Sequence, residues 1–84
     1  MSALYSIIRK NDISALKEYI NNNNNLNIYQ YGRTPLIYAI SWKNEECAKL
    51  LIEANCDCNL LDDNNWDALM YASRYGLTNI VAIA

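Results

Sequence analysis

Four carboxylates, Asp57, Asp62, Asp63 and Asp67, crowd one short stretch, and three thiols stand at Cys47, Cys56 and Cys58. Acid–base, metal and thiol chemistry are therefore the first possibilities to weigh. The chain contains no histidine, so the side chain that most often moves a proton near neutral pH is missing. Its only glycines are Gly32 and Gly76, too few for a loop whose backbone N–H groups cradle phosphate. Cys56-Asp57-Cys58 has the look of a soft metal site, but a structural zinc takes about four ligands, and only Cys47 is left to join the pair. The acids have a simpler use: Asp side chains accept backbone N–H groups in turns and at helix starts. These residues predict a non-enzymatic chain with no catalytic residue, no metal site and no cofactor.

Length and charge narrow the field further. The chain has 84 residues, 52% of them hydrophobic, and a formal charge of -2, which suits one small domain with a modest core. The seven Lys and Arg residues are scattered along the sequence, so there is no basic run to displace counterions, and nucleic acid is not an expected partner. The apolar runs are only a few residues long, and Met1–Lys10 lacks the basic start, apolar middle and cleavage site of a secretion signal, so no membrane role is expected. An odd number of cysteines without such a signal argues against a disulfide framework. The expected location is intracellular, cytoplasmic or nuclear.

The elements that must position these residues come from an internal repeat. Shifted by about 33 positions, the segment from Gly32 to Ile40 lies over that from Asn65 to Ser73, with Leu36 over Leu69, Tyr38 over Tyr71 and Ala39 over Ala72. A shift one residue shorter brings Asn11 over Lys43, Leu16 over Ala48, Ile20 over Ile52 and Asn27 over Asn59. The connection from Asn27 to Gly32 is correspondingly one residue shorter than that from Asn59 to Asn65. The first unit has drifted most.

Each unit reads as two short helices. Thr34 can cap the first helix of the middle unit, Pro35 suits its first turn, and Asp67 can cap the equivalent helix of the next. Leu36, Ala39 and Ile40 make one apolar stripe, with the small Ala39 at a close helix contact. The second helix, about Glu45 to Ala54, is expected to bury Cys47, Ala48, Leu50, Leu51 and Ile52 and to leave Glu45, Glu46, Lys49 and Glu53 in water. Asn55 can end it in the left-handed conformation. Asn21 to Asn25 plays that part in the first unit and reads as a solvated loop.

Gly32-Arg33-Thr34-Pro35-Leu36 with Ala39, then Leu50-Leu51, then Ala54-Asn55-Cys56-Asp57-Cys58-Asn59, resembles the ankyrin repeat over nearly the whole chain. A tetratricopeptide array shares the period but not this hairpin signature. The resemblance implies an all-α ankyrin-repeat solenoid, with stacked helix-turn-helix repeats joined by β-hairpin-like loops. The units would be about 1–31, 32–64 and 65–84, the last incomplete. Cys56 and Cys58 would then stand where the family packs small apolar side chains. The family histidine after the Leu is replaced by Ile37 and Met70, which implies a missing polar tie between repeats and a less regular stack. The family's glycine between the helices survives only as Gly76, with Asn11 and Lys43 elsewhere.

The resemblance also implies a protein partner, held by the hairpin tips and a concave helix face. In the middle unit those positions are Tyr29, Gln30, Tyr31, Arg33, Ser41 and Trp42. In the next they are Leu61, Asp63, Asn64, Trp66, Arg74 and Tyr75, and Arg9 and Lys10 extend the strip. Trp, Tyr and Arg are the residue types that dominate interface hot spots. Trp66, between Asn65 and the cap Asp67, either meets a partner or packs on Tyr31 or Arg33. Trp42 is either partly buried or in contact with a partner. Tyr38 and Tyr71, one period apart, are expected to pack between repeats. The alternative role is structural: a fragment of a longer ankyrin array, or a subunit that self-associates through the truncated C-terminal repeat.

Overall fold

Thr34, Asp67 and Asp12 each accept the backbone N–H three residues ahead: from Ile37 at 3.2 Å, Met70 at 2.9 Å and Ala15 at 3.1 Å. Such a cap satisfies an otherwise orphaned donor and stabilises a helix by about 1 kcal/mol. The three caps open α3 (Pro35–Ser41), α5 (Ala68–Arg74) and α2 (Ile13–Asn21) in a computed structural model that describes residues 3–83, with side chains to residue 81. The other helices are α1 (Ala3–Arg9), α4 (Glu45–Glu53) and α6 (Thr78–Ile83). Met1, Ser2 and Ala84, at the outer ends of the units 1–31 and 65–84, lie outside the described residues.

What stops the helices is as regular as what starts them. Asn11, Lys43, Asn55 and Gly76 all have positive φ, 55°, 59°, 64° and 71°. At each, the left-handed residue donates three residues back and its successor donates five residues back. Lys43 N–H reaches Ile40 C=O and Asn44 N–H reaches Ala39 C=O, both at 2.9 Å, and the same pair of bonds closes α1, α4 and α5. This cap uses carbonyls that the helix end would leave unpaired. Lys43 bears the cost of a Cβ in that conformation, whereas Asn11 and Asn55 are types that tolerate it.

The helices stack in two layers. Within a unit α1 packs on α2, α3 on α4 and α5 on α6, while α1, α3 and α5 form an inner row and α2, α4 and α6 an outer one. The core runs continuously through the stack, from Leu4, Ile8 and Leu16, through Leu36, Ile37, Ile40, Cys47 and Leu51, to Ala72 and Ile80. Leu50 and Ile52, expected inside, are only half-buried, because α4 turns Cys47, Ala48 and Leu51 inward. The helices at the third unit bring smaller side chains, Ala68 and Ala72, to the shared core.

Neighbouring hairpins are tied backbone to backbone. Asp63 N–H donates to Gly32 C=O at 3.2 Å, and the tips come so close that a Cβ on Gly32 would sit 2.1 Å from Asp63 Oδ2. Asn27 Oδ1 accepts from Asp57 N–H, and the Tyr29 hydroxyl donates to Leu61 C=O, both at 2.8 Å. At the first junction Asn44 Nδ2 donates to Ile8 C=O at 2.5 Å.

The first junction has a polar tie that the replacements at Ile37 and Met70 do not touch, because Tyr5 occupies the same helix register in the first unit. Its hydroxyl donates to the carbonyls of Arg33 and, at 3.3 Å, Ile28 in the following connection. Burial is the main reason that the Tyr5 hydroxyl is pushed up to about 12, so it remains a donor at any ordinary pH.

Candidate functional site

The inner row of helices and the connections preceding them bring most of the expected contact residues onto one face. Arg33 lies along α3, its guanidinium donating to Ser41 Oγ at 3.1 Å. At the same two registers of the next unit stand Trp66 and Arg74, and there the guanidinium lies 5.7 Å from the indole centroid. A hydrogen bond in one unit has become a cation–π contact in the next, a type of contact worth about 0.5–1 kcal/mol at exposed sites.

Between these pairs runs a chain of rings. Tyr31 stacks on Tyr38 at 6.4 Å, Tyr38 contacts Tyr5 at 4.9 Å, and Trp42 follows at 6.1 Å. In the third unit Trp66 lies 5.2 Å from Tyr71, and Tyr71 stacks on Tyr75 at 6.2 Å. Lys43 crosses the junction, with its ammonium 5.6 Å from the Tyr75 centroid. Tyr38 therefore does pack between units, through Tyr5, and Tyr71, whose ring contacts lie within its own unit, reaches Asp62 of the preceding unit through its hydroxyl.

Exposure separates the members. Tyr31 is 60% exposed and Trp42 51%, and Tyr29, Leu61, Asp63, Asn64, Arg74 and Tyr75 are also open to solvent. Gln30, Arg33, Ser41 and Trp66 are half-buried. Gln30 pairs with Arg33 in a short antiparallel bridge, N–H to C=O in both directions at 3.0 and 3.1 Å. Tyr29 and Leu61 are joined to each other between the hairpins. Trp66 rests on Tyr71 and Arg74 of its own unit, not on the Tyr31 or Arg33 weighed from sequence.

Asp62 holds this arrangement from beneath. It is 7% exposed. One carboxylate oxygen accepts Asn64 N–H and Trp66 N–H, both at 2.9 Å, and the other accepts the Tyr71 hydroxyl. Burial is the largest influence on this carboxyl and would raise it, but the bonds from Tyr71, Trp66 and Asn64, with the Arg33 charge, outweigh it and hold it below the usual carboxylate range. Two of the other three acids are also engaged: Asp57 accepts from Asn59 N–H at 2.9 Å, and Asp67 caps α5.

The thiols are part of the packing. Cys47 is buried, its Sγ donating to Asn11 Oδ1 at 3.4 Å. Burial first, then the neighbouring Cys58, pushes the Cys56 thiol up to about 12, which leaves it a poor nucleophile. Among the described residues no group of three Cys, Asp or Glu side chains is placed to hold a metal ion, and no helix is long and apolar enough to cross a membrane.

Paired helices in two layers, hairpins joined edge to edge and a site spread over a face define a stacked-repeat protein. The family model for ankyrin repeats (3 copies) matches residues 1–83, and the chain belongs to the ankyrin repeat family. It is similar to Ankyrin repeat domain-containing protein 13C-B of Xenopus laevis, 32% identical over 73 residues, 87% of this chain and 14% of that protein. Ankyrin repeat domain-containing protein 13C of Homo sapiens is 30% identical over the same shares. Ankyrin repeat protein nuc-2 of Neurospora crassa is 41% identical over 46 residues, 55% of this chain and 4% of that protein. The chain thus spans only a small part of the length of these relatives. Ankyrin repeats are generally protein-binding modules and typically non-catalytic.

Proposed function

We propose that the chain is a non-enzymatic interaction module, with units of about 1–31, 32–64 and 65–84, that grips a partner protein through its hairpin tips and inner-helix face. One observation carries this reading: rings and guanidinium groups from successive units form one surface, yet Tyr31 and Trp42 are more than half exposed and Tyr75 about a third. Rigid aromatic side chains of this kind lose little conformational freedom when a partner covers them. The three free cysteines support work in a reducing, intracellular setting, cytoplasmic or nuclear.

The test is capture of the partner by the chain carrying Trp66→Ala and Arg33→Ala, with Lys49→Ala on the outer helix α4 as control. The double variant is expected to weaken capture at least about tenfold, the scale of hot-spot losses, with helical circular dichroism retained. Capture that survives the double change, or falls equally with Lys49→Ala, places the contact elsewhere.

A second reading, self-association or stacking through the last unit, has its own support. Leu16 and Ala48 are buried, but Val81 at the same register is 40% exposed, and Met70, at the register of buried Tyr5 and Ile37, is 43% exposed. Sedimentation of the isolated chain discriminates: a monomer up to high concentration counts against self-association.

A further inference from the structure

Cations that are scattered in sequence converge in space. Five of the seven lie along the inner-helix side: Arg9 and Lys10 at the end of α1, Arg33 just before the cap of α3, Lys43 in the turn after that helix and Arg74 at the end of α5. Arg9, Ser41 and Arg74 share one helix register, and Lys10, Trp42 and Tyr75 the next, so cations and rings stand side by side on the same face. The acids divide the other way. Asp12 caps the outer helix α2, Glu18, Glu45, Glu46 and Glu53 lie in the outer helices and Asp57 in the loop after α4, and all six are exposed. Three acids stand on the hairpin side, and two of these are engaged: Asp62 is buried under three hydrogen bonds and Asp67 caps α5. Asp63 alone is a freely exposed carboxylate there. Among the described residues no ion pair joins the five cations to a carboxylate.

Resting on the interaction face proposed above, we infer that its ligand is an acidic peptide segment whose Asp or Glu side chains alternate with aromatic or aliphatic ones. Lys43 and Arg74 each have one side against a ring, which fixes the charge while leaving the other side for an incoming carboxylate. The rings of Trp42 and Tyr75 offer apolar contact between the charges. The acidic outer helices repel the same peptide, so a chain that is net negative still presents one attractive face, and opposing fields of this kind orient an encounter.

The test is selection of a random sixteen-residue peptide display library on the immobilised chain, followed by affinity measurement on the enriched peptides. The expected pool is net negative and carries aromatic or aliphatic residues among its acids. Its affinity should fall at least about tenfold when Lys43→Glu and Arg74→Glu are combined, and by a similar factor when salt is raised from about 0.05 M to about 0.5 M. Lys17→Glu with Lys49→Glu, on the outer helices, should change it less than about twofold. A neutral or basic pool that is still lost with Trp42→Ala overturns the acidic ligand and leaves the face standing. An acidic pool indifferent to Trp42→Ala and to the Lys43 and Arg74 reversals overturns both. No enriched sequence, or enrichment replaced by self-association of the chain, overturns the peptide ligand.

Discussion

Leu51→Ala is expected to lower the unfolding free energy by about 3 kcal/mol, the middle of the range for a buried leucine whose cavity cannot close. Leu51 is fully buried in α4, and α4 packs on α2, α3 and α6, so the void would open where all three units share their core. A domain of this size has on the order of 5–10 kcal/mol in total, and the melting temperature should fall by more than about 10 °C. The loss should not stay local, because in stacked repeats each unit is stabilised through its neighbours. Leu61→Ala provides the contrast: Leu61 is 45% exposed between two hairpins, and its truncation should cost less than about 0.5 kcal/mol. Equal costs for the two leucines in urea denaturation would show that the core does not centre on α4.

The features legible in sequence were those fixed by local chemistry. Thr34-Pro35 and Asp67 announce helix starts because the hydroxyl or carboxylate reaches its N–H within the same turn. Asn55 and Gly76 announce stops because few residue types accept positive φ. The two-helix unit followed from these landmarks, and with it the list of residues near the hairpin tips. The illegible features depended on what lies one unit away. Tyr5 looks like an ordinary residue of a degraded first repeat, and its role appears only when Arg33 C=O and Ile28 C=O arrive beside it. Lys43, absent from the expected face, reaches Tyr75 across a junction. The cations look scattered along the chain because the stack gathers positions a whole unit apart. Trp66 shows the same limit in reverse, since its partners Tyr71 and Arg74 lie close by in sequence but only the helix brings them under the ring.

Asp62→Ala should produce the second large effect, and one with a signature in pH. Removing the carboxylate leaves Asn64 N–H, Trp66 N–H and the Tyr71 hydroxyl without their acceptor. Losing such a partly buried, charge-assisted set costs about 2–3 kcal/mol. The sign of the pH dependence follows from the carboxyl being held below its ordinary range in the fold. Its contribution is complete above the unfolded-state value of about 3.9 and is lost as pH falls through the lower folded-state value. Tyr71 acts at the other end. The hydrogen bond to Asp62, then burial, raises its hydroxyl, so its contribution is complete below about pH 10 and is lost as pH rises beyond that. The wild-type chain should therefore lose stability at both ends of a plateau between about pH 4 and pH 10, while the Ala variant starts lower and falls less steeply at each end. Asp62→Asn should keep an acceptor for the two backbone N–H groups, recover part of the loss at neutral pH, and still lack the acid-side slope that the carboxylate supplies. Because Asp62 also holds the backbone of Trp66, the Ala variant should bind its partner more weakly than its remaining helical content suggests. Urea denaturation across pH decides the matter: parallel profiles for the wild type and Asp62→Ala would mean that this carboxylate does not anchor the second hairpin.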